Sequence, residues 1–116
     1  MIITQDIKTI AETIRKAVPT EKIYLFGSYA YGTPHKDSDY DFFIVIPDGV
    51  MKPMEAMQKA QLALARKMRR TIPIDILAAT NSDFDHMRHK LNTVEKQVDQ
   101  KGVLLYERRG SSLQMA

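Results

Sequence analysis

Two aspartates one residue apart, Asp39 and Asp41, follow a Gly27-Ser28 step after ten intervening residues, and a third, Asp75, stands alone between Ile74 and Ile76. Residues two apart on a strand point to one side, so Asp39 and Asp41 present adjacent carboxylates. Anions held ~4–5 Å apart repel by on the order of 1–4 kcal/mol, depending on the effective dielectric, and a hard divalent cation is the usual compensation. The Gly27-Ser28 step offers backbone N–H groups and a hydroxyl where a strand turns into a helical turn, an arrangement suited to phosphate. An acid flanked by isoleucines early in a buried strand needs a partner, and a neighbouring strand bearing Asp39 and Asp41 supplies one through a shared metal.

The elements that must position these groups are legible in the pattern. Ile7, Ile10, Ala11, Ile14 and Val18 form the apolar stripe of a helix from Asp6 to Val18, stopped by Pro19. Lys22–Phe26 is a short aromatic and branched run closed by Gly27, which predicts a strand. Ser28 to Gly32 is expected to make a helical turn and Thr33 to Ser38 a loop. Tyr40–Ile46 is apolar without alternation beyond Asp41, as in a central strand covered on both faces. A long helix is expected from Pro53 to the basic run Arg66-Lys67-Met68-Arg69-Arg70, with Met57, Ala60, Leu64 and Met68 as its stripe. Pro73–Ala79 reads as a third strand, and a helix is expected to start near Ser82. Another helix runs from Asn92, its cap, to Gln100, and Val103–Tyr106 is a candidate edge strand. The expected fold class is α/β (α+β): a small mixed sheet of three or four strands flanked by helices. One domain spans 1–109, with 110–116 a disordered tail.

With 116 residues, 44% of them apolar and none a cysteine, the chain has room for one small core and excludes thiolate metal sites, disulfides and cysteine nucleophiles. The opening Met1-Ile2-Ile3-Thr4-Gln5-Asp6 lacks a basic segment followed by an apolar run, and no stretch nears the ~18 apolar residues a membrane span needs. A soluble, unprocessed cytoplasmic chain without membrane attachment is expected. The net charge of +3 is unevenly spread: residues 1–50 carry 5 basic and 7 acidic groups, residues 51–116 carry 12 and 7. That split is compatible with a metal-and-polyphosphate site, with an acidic partner, or with a well-solvated surface.

Leu25-Phe26-Gly27-Ser28-Tyr29-Ala30-Tyr31-Gly32 through Asp37-Ser38-Asp39-Tyr40-Asp41 resembles the Gly-Ser-x10-Asp-x-Asp motif of the nucleotidyltransferase superfamily that shares its fold with the palm of DNA polymerase beta. At this length it most resembles the minimal nucleotidyltransferases, over roughly residues 5 to 107. The resemblance implies that Asp39 and Asp41 hold magnesium, that Gly27 and Ser28, with Ser38 beside them in the motif, contact the phosphates of ATP, and that Asp75 completes the metal site or assists the attacking hydroxyl. Two magnesium ions ~3.5–4 Å apart are expected, with attack at the α-phosphate releasing pyrophosphate. Asp75 as metal ligand and Asp75 as general base both stay open. Many minimal members are antitoxins of HEPN-domain toxins and transfer AMP to a toxin tyrosine, so the resemblance implies such a partner. The chain departs from relatives at Tyr29 and Tyr31, where arginine is frequent; Lys36, or Arg66, Arg69 and Arg70, are the candidates to restore that charge. Tyr29 and Tyr31 either stack on the base or pack.

Other features have plainer readings. Asp83 and Asp85 suit a first helical turn, and His86 and His89 an exposed helix face. The methionines, Met54, Met57 and Met68 among them, fill or flank the core, though an exposed strip would suit a partner. The basic run lacks an array of stacking aromatics, so direct nucleic-acid binding is not expected; a homo-oligomer is left open. Two alternatives to protein nucleotidylation stand. One is a binding module that neutralises its partner by contact, with vestigial acids; the other, less favoured because 116 residues leave little chain to wall an acceptor pocket, is a small-molecule nucleotidyltransferase.

Overall fold

The structure, a computed structural model, describes residues 4–68 and 73–108. Nine elements follow one another: α1 (Gln5–Ala17), β1 (Lys22–Phe26), α2 (Ser28–Tyr31), β2 (Tyr40–Ile46), α3 (Pro53–Lys67), β3 (Ile74–Thr80), α4 (Asn81–Met87), α5 (Val94–Lys101) and β4 (Val103–Glu107). The strands form one mixed sheet in the order β3-β2-β1-β4. β1 is antiparallel to β2 and to β4, whereas β2 and β3 run parallel. The parallel pair needs a crossover, which α3 provides.

Alternation along β2 divides the core. Phe42, Ile44 and Ile46 point to one face and meet Ile7, Ile10 and Ile14 of α1 and Ala56, Ala60 and Leu64 of α3. Phe43 and Val45 point to the other and meet Phe84 of α4 and Val98 of α5. Both faces of the central strand are thus covered, which is why its sequence lacks polar alternation beyond Asp41. The α3 stripe is shifted from the expected one: Ala56, Ala60 and Leu64 are fully buried, Met57 and Met68 flank the core, and Met54 is exposed. Small alanines let α3 lie close to α1 and the sheet. α3 ends at Lys67, and Arg69, Arg70 and the 110–116 tail lie outside the described residues.

Two caps differ from expectation. Thr80, not Ser82, caps α4 by accepting the Asp83 N–H at 3.2 Å. Ser82 instead gives its N–H to Asp48 at 2.9 Å and its hydroxyl to the other oxygen of that carboxylate, tying α4 to the loop after β2. Thr93, not Asn92, caps α5, because Asn92 takes φ 63°, a left-handed conformation that asparagine tolerates and that ends the preceding turn. The Thr93 hydroxyl lies 3.0 Å from the Lys96 N–H it accepts and 2.9 Å from the Met87 carbonyl, its acceptor. Thr93→Ala is therefore expected to cost about 1 kcal/mol, read as a lower midpoint in urea with unchanged slope.

Candidate active site

β1 and β2 pair so that Phe26 lies opposite Asp41, and β2 and β3 so that Asp41 lies opposite Asp75. Tyr40 and Phe42, Ile74 and Ile76 all face α1 and α3, so Asp41 and Asp75 emerge together on the opposite face. Asp39, two residues before Asp41, joins them from the end of the loop. All three expected acids are thus brought to one end of one sheet face. Asp39 and Asp41 are half-buried and Asp75, on edge strand β3, is exposed.

Their electrostatics register the crowding. The Asp41 carboxyl is pushed above the ordinary range by burial first, then by the charges of Asp75 and Asp39. Asp75 is raised by burial, by the charge of Asp39 and by a hydrogen-bonding contact with it. The carboxylates approach in pairs: among the described residues no three acid, histidine or cysteine side chains already close into a metal cage. The donor set nevertheless suits a hard divalent ion. It consists of oxygen anions whose mutual repulsion a cation would relieve.

Gly27 makes this proximity possible. It adopts φ 75°, ψ −163°, a region essentially restricted to glycine, and a Cβ there would sit 2.1 Å from Asp41 Oδ2. The chain then enters α2, where the N–H groups of Ala30 and Tyr31 return to the Gly27 carbonyl. The first N–H groups, of Ser28 and Tyr29, lie outside that ladder.

Ser38 has a role that spacing alone does not reveal. It is 7% exposed, its hydroxyl lies 2.9 Å from Ser28 Oγ, and it accepts the His35 N–H at 2.8 Å. Its own N–H bonds the His35 carbonyl at 3.0 Å. The ten residues between the glycine-serine step and Asp39 are thus closed by a serine-serine bridge that fixes where Asp39 begins. A small hydroxyl residue just before the acids is the available sequence signal, but its partners depend on the loop folding back. Ser38→Ala leaves the His35 N–H without its acceptor and is expected to cost about 1–2 kcal/mol, read by thermal melting against Ser28→Ala.

Tyr29 packs. Its ring lies 4.5 Å from that of Tyr40 and against the α1/α3 core. The Tyr31 hydroxyl is buried without a hydrogen-bond partner among the described residues. Lys36 is exposed on the loop, while Arg66 lies on α3, which covers the face opposite the acids. That removes Arg66 from the groups expected to neutralise a triphosphate. The remaining features follow their plainer readings: Asp83 lies in the first turn of α4, Asp85 pairs with Arg88 at 3.0 Å, and His86 and His89 are exposed.

A family model described as polymerase beta, nucleotidyltransferase matches residues 8–110. The chain belongs to this nucleotidyltransferase family. A comparison with curated protein sequences finds no match. Among solved structures, a candidate nucleotidyltransferase from Sulfolobus solfataricus is similar in fold, with TM-score 0.57 and 19% identity, over 93% of this chain and 83% of that one. A toxin–antitoxin solved with AMP-PNP is similar with TM-score 0.56 and 27% identity, over 88% of this chain and 73% of that one. A mutant of the MntA–HpeT toxin–antitoxin matches with TM-score 0.56 and 24% identity over the same shares. The mixed four-stranded sheet flanked by helices is the nucleotidyltransferase fold. Among the described residues no helix is long and apolar enough to cross a membrane.

Proposed function

We propose that this nucleotidyltransferase depends on magnesium and transfers AMP from ATP to a tyrosine hydroxyl of a partner protein, as the antitoxin of a HEPN-domain toxin. The observation that carries the reading is the in-register pair Asp41 and Asp75 with Asp39 beside them, on one sheet face next to the glycine-serine step. The likeness to toxin–antitoxin structures, one of them with AMP-PNP, supports the partner class and the nucleotide.

Asp39, Asp41 and Asp75 would hold magnesium, which supplies charge neutralisation at the phosphates and makes an acceptor hydroxyl more acidic. Gly27 and Ser28 orient the phosphates, and Ser38 acts by holding Ser28 in place. The half-buried Asp41 serves the nucleotide side, and the exposed Asp75, at the sheet edge, faces an acceptor arriving from outside. The acceptor oxygen bonds to the α-phosphorus as the bond to pyrophosphate breaks; Asp75 acting as base, in place of its role as third metal ligand, would receive the hydroxyl proton. Incubation with the partner toxin, α-labelled ATP and magnesium should label a toxin tyrosine. No transfer from any of the four ribonucleotides, with magnesium or manganese, overturns the reading.

The packed Tyr29, which brings no charge to the phosphates, favours a second reading in which the chain neutralises its partner by contact alone. A triple variant, Asp39→Asn, Asp41→Asn and Asp75→Asn, that still neutralises the toxin at full potency would decide for it.

A further inference from the structure

Behind the sheet, on the face opposite the acids, α1 and the last turns of α3 enclose an open groove of about 810 Å³. Gln5, Thr9, Glu12 and Lys16 repeat along its α1 wall at helical spacing, so the groove follows the helix for about three turns. Ala17 and Ala63 give it small apolar surfaces, while Lys8, Lys16, Arg66 and Lys67 contribute four cations. Glu12 is its single acid, and that carboxylate is bound by Arg15 at 2.8 Å, which lowers its pKa. Among the described residues none of the four cations forms an ion pair, although Lys16 adds to Arg15 in lowering the Glu12 pKa. Each of Lys16, Arg66 and Lys67 is accounted for singly by the negative end of its own helix. That does not account for two helices presenting them across one groove, where like charges repel.

We infer that this groove docks an acidic amphipathic helix of a partner protein, its apolar stripe against Ala17 and Ala63 and its carboxylates against Lys8, Lys16, Arg66 and Lys67. The occupant follows from charge complementarity together with the groove's form: helix-lined, three turns long, small-residue floored and cationic. A nucleic acid would find the cations but no aromatic side chain lining the groove for its bases. The groove and the carboxylates lie on opposite faces, so docking does not rest on the catalytic reading, and a docked partner leaves the acids open.

The test uses the whole chain and a fluorescein-labelled synthetic 14-residue helix with a leucine-alanine stripe flanked by glutamates, titrated by anisotropy at low and at moderate salt. Saturable binding is expected, weakened by salt, at least tenfold weaker in the double variant Lys16→Glu, Arg66→Glu, and within twofold of the parent in Asp41→Asn. Should the double reversal melt far below the parent, the neutralising pair Lys8→Gln and Lys67→Gln replaces it, with a threefold loss expected. No binding to the parent, or equal binding by a folded variant, overturns the proposal. So does equal binding of the same helix with lysines in place of glutamates, or tighter binding of a 14-nucleotide single strand.

Discussion

Asp41→Asn is expected to stop nucleotidyl transfer, by on the order of 10³-fold or more, while raising the melting temperature of the metal-free protein. The two effects share one cause. Asp41 and Asp75 sit opposite each other on strands about 4.8 Å apart, and both carboxyls are raised, first by desolvation, then for Asp41 by the charges of Asp75 and Asp39 and for Asp75 by that of Asp39. An acid whose folded pKa is raised binds its proton more tightly when folded. Its ionised form therefore weakens the fold at every pH above the raised value, and that penalty is gone below the unfolded value of 3.8. In EDTA at pH 7 the asparagine variant should be the more stable by on the order of 1 kcal/mol, and its advantage should shrink toward nothing as the pH is taken down to about 4. Magnesium reverses the ranking. At a hundredfold excess over its dissociation constant, a ligand bound only by the folded parent stabilises by ~2.7 kcal/mol, a rise of roughly 10 °C for a domain of this size. The variant should show little of it. Equal magnesium responses, or a variant that melts lower than the parent in EDTA at pH 7, would remove the acids as a charge-strained metal site.

What the sequence makes legible about this site is its local part. The two-residue spacing of Asp39 and Asp41, the isolated acid Asp75 and the glycine-serine step are each read from a few residues at a time, and the structure brings the three acids to one sheet end as expected. The non-local part is not legible in the same way. That Gly27 abuts Asp41 follows from the β1–β2 register, which pairs Phe26 with Asp41 across fifteen positions. The Ser28–Ser38 bridge needs the loop to fold back. The choice of Thr93 over Asn92 as a cap turns on one left-handed residue, since both side chains are good caps by type. The cationic groove joins α1 to the end of α3 some fifty residues later; the sequence shows only an excess of basic residues in the second part of the chain.

The second large effect separates backbone strain from site geometry by means of two glycines five residues apart. Gly27 and Gly32 both have positive φ, 75° and 79°. At Gly32 the backbone is in the ordinary left-handed helical region, and a Cβ would meet nothing within 4 Å. Gly32→Ala therefore carries only the conformational cost, about 1–2 kcal/mol, and should keep its transfer activity when assayed well below its melting temperature. At Gly27 the backbone is in the region that costs a non-glycine residue about 1–3 kcal/mol, and the Cβ would overlap the Asp41 carboxylate. The carboxylate cannot stay where it pairs with Asp75. Gly27→Ala is thus expected to lose at least 100-fold in activity and most of the magnesium-dependent rise in melting temperature, beyond anything its stability loss explains. The diagnostic comparison is between the two variants at matched fractions folded. If they lose activity in proportion to stability alone, the Gly27–Asp41 contact does not position the acid. If only Gly27→Ala loses its magnesium response, the glycine is there because the carboxylate occupies the space a side chain would need.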